Sequence, residues 1–180
     1  MSELLNKDEL TQLLRNGDIE KFNKLRPYDE IKFPDFTEID LSNVKICGVN
    51  LSNVDLSGSD LSKSEIESVN FNNSDLSAVN FTRTTITESN FAETIMEGSL
   101  LNNANIISGD FMEVDFNGIN ISGADLTGAD LTLSINLMMS VYDADTIWPE
   151  SDMLPDDFEP QDDMSFADLE DSEEFLEEQF

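Results

Sequence analysis

Residues 50–76 read NLSNVDLSGSDLSKSEIESVNFNNSDL, and within them Leu51, Leu56, Leu61, Ile66, Phe71 and Leu76 recur at every fifth position. The rule extends outward in both directions, through Ile46, Leu41 and Phe36 upstream. Downstream it runs through Phe81, Ile86, Phe91, Met96, Leu101, Ile106, Phe111, Phe116, Ile121 and Leu126 to Leu131, making twenty consecutive hits. On an α-helix a step of five turns about 140°, so these side chains would wander round the axis, and on a flat strand they would alternate faces. A chain that turns a corner every five residues buries them all, because each unit forms one wall and sends its central side chain inward.

The number of walls per coil follows from which step produces ordered columns. A step of 20 aligns Ile46, Ile66, Ile86, Ile106 and Leu126, and beside them Leu51, Phe71, Phe91, Phe111 and Leu131; a step of 15 mixes Ile46, Leu61, Leu76 and Phe91. Four walls and about five coils result, giving at parallel strand spacing a square rod roughly 24 Å tall. Two places before each inward residue stand small or β-branched side chains such as Val49, Ser59, Ala104 and Ala124, suited to the tight space beside it. Immediately before it stands Asp or Asn in 15 of the 20 units, where a short polar side chain can bond local backbone at the corner. Most of the Asp and Asn is thus architectural. The five prolines, Pro27, Pro34, Pro149, Pro155 and Pro160, all flank residues 35–148.

An open solenoid end invites strand addition, so both ends should be covered. Asn6 with Glu9 predicts a helix start before Lys7 to Arg15, with Asn16-Gly17 as the stop. Asp18 is expected to cap a second helix carrying Ile19, Phe22 and Leu25 and ended by Pro27. At the other end the five-residue period fails at Asn136, and Leu137, Met138, Tyr142, Ile147 and Trp148 offer bulky cover. The expected organisation is a helical cap over residues 1–30, a repeat body over 31–135, a C-terminal cap over 136–160 and an acidic tail over 161–180. In the tail Phe166, Leu169, Leu176 and Phe180 keep a near-helical spacing among acids, consistent with docking on a partner or on the rod, or with a solvated tail.

The repeats resemble those of the pentapeptide-repeat family, whose A(D/N)Lxx unit stands nearly verbatim in Ala124-Asp125-Leu126-Thr127-Gly128 and in Ala129-Asp130-Leu131. The resemblance implies an all-β solenoid, a right-handed quadrilateral β-helix with a short N-terminal α-helical cap. The flanks Ile19-Glu20-Lys21-Phe22-Asn23 and Val141-Tyr142-Asp143 through Ile147-Trp148-Pro149 look like those of cyanobacterial members. The resemblance also implies little about activity, since most members have no assigned biochemical role, although some inhibit DNA gyrase by imitating duplex DNA.

Charge bounds the function further. Nine Lys and Arg against 39 Asp and Glu leave a net charge of −30, and Arg83 is the last basic residue. Direct nucleic-acid binding is not expected, because phosphates require cations; an electrostatic partner should be a protein with a basic surface. With no histidine, no EF-hand loop and one cysteine, Cys47, neither catalysis nor a metal or other cofactor is expected. A lone cysteine and no long apolar stretch read as a cytoplasmic, non-membrane chain.

Two sets of candidate contact residues emerge. Ile95 and Leu100 occupy the Asp/Asn corner site, and Ile107 and Met112 follow inward residues, so four outward positions within about one coil are apolar. A partner site, cover by the tail and self-association all fit them. Glu88, Glu93, Glu97, Asp110 and Glu113, with Asp115, Asp125 and Asp130, set about one charge per 1.5 Å of rod, against one per about 1.7 Å in duplex DNA. A non-catalytic interaction or scaffold module, or alternatively a DNA mimic acting on an enzyme such as DNA gyrase, is the expected function.

Overall fold

The computed structural model describes residues 6–26 and 34–160. Helices α1 (Lys7–Asn16) and α2 (Ile19–Leu25) precede a β-solenoid in which each coil lies 20 residues from the next. Four short strands, β1 (Lys45–Cys47), β2 (Glu65–Glu67), β3 (Thr85–Thr87) and β5 (Asn105–Ile106), form one parallel sheet in that order. A second parallel sheet joins β4 (Ser89–Asn90), β6 (Gly109–Asp110) and β7 (Ala129–Asp130). We number the walls by their first inward residue: Phe36 for wall 1, Leu41 for wall 2, Ile46 for wall 3 and Leu51 for wall 4.

All twenty inward side chains are buried, and on wall 4 the rings of Phe71, Phe91 and Phe111 stack with centroids 4.9 and 4.7 Å apart, close to the rung spacing of a parallel ladder. The corners are made two residues after each inward residue, where φ is positive in 17 of the 20 units; five of these are Gly and twelve are not. Fourteen of the fifteen corner Asp and Asn residues accept a hydrogen bond on Oδ1 from the amide two residues on, which holds the chain in the turn. Wall 3 departs from this pattern. Its corner column begins Lys45, Glu65, Thr85, and there the chain stays extended as β1, β2 and β3.

The small residues before each corner do more than leave room. Ser59 Oγ donates to the Phe36 carbonyl of the previous coil and accepts from the Ile39 amide, and Ser64 and Ser74 repeat both bonds one and three walls on. These hydroxyls satisfy backbone groups at corners that the ladder does not reach. No buried side-chain nitrogen or oxygen among the described residues lacks a partner.

The N-terminal helices close the first coil. Asn6 and Glu9 form the expected capping box, Gly17 ends α1 at φ 74°, and Leu10, Leu13, Leu14 and Phe22 are buried. Asp18 makes no side-chain cap bond to α2, contrary to expectation: its amide is committed to the Leu13 carbonyl in ending α1, and its ψ of 54° is not extended. Pro27 lies outside the described residues. The exposed edge of the first coil is covered by long side chains that replace a preceding rung. Arg15 donates to the Asp40 carbonyl, Arg26 to the carbonyls of Asn50 and Ser52, and the Asn23 amide bonds both the Gly48 carbonyl and the Asn50 amide. Lys7 reaches Asp35 at 3.1 Å.

At the far end the ladder continues past the last five-residue unit. Asp115 pairs with Ile135, Asn120 with Val141 and Asp125 with Ile147, and Leu131 donates to the Met153 carbonyl. Successive walls thus begin at 135, 141, 147 and 153, a sixth coil with six residues per wall. Tyr142, Trp148 and Phe158 close its end, with ring centroids 5.1 Å apart for Tyr142–Trp148 and 5.0 Å for Trp148–Phe158. The acidic tail, 161–180, lies outside the described residues.

Two predictions rest on this geometry. A Cβ at Gly128 would lie 1.9 Å from the Ile107 carbonyl oxygen, whereas one at Gly98 meets nothing within 4 Å. Gly128→Ala should therefore cost about 2 to 3 kcal/mol through overpacking of backbone, and Gly98→Ala about 1 kcal/mol for its left-handed φ alone, as read by urea unfolding. The second concerns pH. The amide and hydroxyl of Thr37, with Lys7, hold the Asp35 carboxyl at about 2, below its ordinary 3.8. A depressed carboxyl contributes stability that is fully present above the ordinary value and is lost as pH falls through about 2. The melting temperature of Asp35→Asn should accordingly lie below that of the parent above pH 4 and meet it near pH 2.

Candidate functional site

Each coil residue has a fixed wall, so the 20-residue register assigns every candidate to a face. Ile95 lies on wall 1, Leu100 on wall 2, Ile107 on wall 3 and Met112 on wall 4, with 51, 40, 56 and 39% of their surfaces exposed. The four share a level of the rod but point to four sides of it, and so do not make one patch. Their spacing carried that information: steps of 5, 7 and 5 residues advance one wall each.

The acidic candidates are better gathered. Asp110 lies at the start of wall 4 with Asp130 one rung beyond it, and Glu93 and Glu113 stand at the corner that ends that wall. Glu88 is exposed at the corner between walls 3 and 4, where the Ser68 hydroxyl donates to it at 3.3 Å. Glu97 is exposed on wall 1. Wall 4 therefore changes character along the rod. Its bridged column runs Asn50, Asn70, Asn90 and then Asp110, Asp130; its corner column runs Asn53, Asn73 and then Glu93, Glu113.

Local physics makes that change informative. At the corner φ is near +57° along the column, a conformation that Asn tolerates and Glu does not favour. The Asn pair also bonds across the rung, Asn73 Nδ2 donating to Asn53 Oδ1 at 2.6 Å, where two stacked carboxylates repel. Nothing in the fold calls for Glu at 93 and 113. Neutralisation is also one-sided: the salt bridges among the described residues are Lys7–Asp35, Arg15–Asp40 and those of Lys45 with Glu65 and Glu67, all in the first half of the rod. The surface from Glu88 onward holds carboxylates and no cation among the described residues. Such a face can attract and orient a basic surface. Among the described residues no three metal-ligating side chains converge, and no helix is long and apolar enough to cross a membrane.

Comparison with known proteins agrees with the architecture. A family model described as pentapeptide repeats, in 8 copies, matches residues 35–73, 64–103, 80–118 and 109–135, together more than half of the chain. No curated protein matches it. Among solved structures, a trypsin-treated variant of QnrB1, a plasmid-mediated fluoroquinolone resistance protein, is 18% identical and superposes with a TM-score of 0.58 over 68% of this chain. This chain spans 62% of that structure's length, and the likeness speaks to the fold alone. Rfr23 from the cyanobacterium Cyanothece 51142 is 24% identical over 62% of this chain and 88% of its own, with a TM-score of 0.31. HetL from Nostoc sp. strain PCC 7120, involved in heterocyst differentiation regulation, is 15% identical over 74% and 97%, with a TM-score of 0.24.

If Glu93 and Glu113 are kept for contact rather than for the fold, replacing both with Asn should stabilise the rod. Relief of left-handed strain and of like-charge repulsion is expected to contribute about 1 to 2 kcal/mol at low salt, with the repulsive share lost at high salt. Paired urea unfolding curves at two ionic strengths check this.

Proposed function

The chain belongs to the pentapeptide-repeat family, and on that premise we propose that it is a non-catalytic protein-interaction module whose acidic fourth wall engages a partner with a basic surface. The observation that carries this reading is the corner column Asn53, Asn73, Glu93, Glu113. Two carboxylates stand there at a conformational cost in a place where the same wall elsewhere uses Asn. A repeat rod presents side chains at rungs of about 4.8 Å on a rigid face, so little ordering entropy opposes docking. Attraction through uncompensated carboxylates predicts fast, salt-sensitive association.

A second reading is mimicry of duplex DNA toward a DNA-binding enzyme such as DNA gyrase. It is supported by the stacking of Glu93 with Glu113 and of Asp110 with Asp130 on one wall, a ladder of negative charge along the axis. The rod is short for this role, since its six coils span roughly the length of eight base pairs.

Affinity capture from native extract with the parent chain and Glu93→Asn/Glu113→Asn, eluted by rising salt and identified by mass spectrometry, separates these outcomes. The proposal expects one discrete protein on the parent chain, released by moderate salt and lost with the double variant. Identical retention on both would remove wall 4 as the contact face. A DNA-binding enzyme that free duplex DNA displaces from the rod would select mimicry.

A further inference from the structure

The sixth coil carries a surface that neither the repeat nor the interaction reading uses. Leu133 stands where the preceding coils place Asn or Glu, and Ile135 where they place Asp apart from Ile95, and with Met138 they are 54, 54 and 62% exposed. Together with Leu137, Pro155 and Phe158 they line a groove of about 510 Å³ whose rim includes Asp156 and Asp157. Such a groove, with Phe158 as part of its wall, is an apolar surface built into outward positions of the rod.

We propose that this groove is the docking site of the chain's own C-terminal segment, residues 161–180, which seats Phe166, Leu169, Leu176 and Phe180 against it. The proposal stands apart from the acidic wall and does not need it. Three observations favour this occupant. The segment leaves at Pro160, two residues beyond Phe158 in the groove wall, and the six residues from Pro160 to Phe166 can span at most about 20 Å, so its first large apolar side chain starts within reach. Phe166, Leu169, Leu176 and Phe180 keep a near-helical spacing in the sequence, with Met164 and Phe175 outside it. Attachment also holds the segment at an effective concentration that no separate partner reaches.

Charge gives the idea its sign. The segment carries nine carboxylates and no cation, and the groove rim adds Asp156 and Asp157, so apolar burial drives docking and electrostatic repulsion opposes it. Screening by salt should therefore strengthen docking, whereas a basic partner in the same groove would be weakened.

The test uses the full chain and the full-length variant Phe166→Ser/Leu169→Ser/Leu176→Ser/Phe180→Ser. Both are exposed to dilute hydrogen peroxide, and sulfoxide at Met138 is measured by mass spectrometry against Met112, which is 39% exposed on wall 4 and serves as the internal control for a folded rod. The expected result is Met138 oxidation several-fold slower in the parent chain than in the variant at unchanged Met112, with the gap widening from low to high salt. Equal Met138 rates would overturn the proposal. Protection that depends on protein concentration would assign the groove to a second copy, and protection that fades with salt would assign it to a basic ligand; either result overturns the tail as occupant.

Discussion

Every wall of the first five coils is five residues long because the chain turns a corner two residues after each inward side chain, and the rest of the structure depends on that turn. A positive φ at 17 of the 20 corners brings the next wall round at a right angle, so inward residues stack at a 20-residue register and backbone groups meet their partners one coil away. The turn is held locally by an Asp or Asn oxygen bound to the amide two residues on. It is closed between coils by serine hydroxyls that both donate and accept. Because the residue at the bend is solvent-facing and makes few contacts, it is also where the chain is free to vary. Gly, Asn, Ala, Glu, Lys and Arg all occupy it.

That freedom links architecture to function. Inward positions are committed to packing and corner Asp or Asn to the turn, leaving the bend and the residue before it as the places where chemistry can be written onto a wall. On wall 4 the bend column changes from Asn to Glu halfway along the rod, and the cations that could neutralise it lie in the first half, partly spent on fastening the helical cap. The same feature that makes the wall attractive to a basic surface destabilises it slightly, the trade between stability and activity expected where a surface is kept for contact.

The two ends solve one problem differently. An open coil exposes unpaired backbone groups and would recruit other strands. At the N-terminus, Arg15, Asn23 and Arg26 reach down from α1, α2 and the residue after it to supply the missing rung with side-chain donors and an acceptor. At the C-terminus the chain instead adds a rung of its own, lengthens each wall to six residues and stops it with Tyr142, Trp148 and Phe158. In this coil Ile135, Ile147 and Met153 take the outward column that holds Asp115, Asp125 and Asp130 in the coil beneath, so exposed apolar surface stands where the repeat places carboxylates.

Much of this was legible in the amino-acid order alone. The inward residues, the four walls, the capping box at Asn6 and the corner role of Asp and Asn follow from periodicity and local hydrogen-bonding chemistry, because a solenoid makes neighbours in space out of residues at constant separation. The scatter of Ile95, Leu100, Ile107 and Met112 over four walls follows from the same arithmetic. Tertiary structure alone decided the rest. The sixth coil has no five-residue signature, since its register is imposed by the backbone of the coil beneath it. Asp18 was diverted from capping α2 by the end of α1. Arg15 and Arg26 look in sequence like ordinary surface charges, and only the first coil's open edge, more than twenty residues away, turns them into part of the ladder.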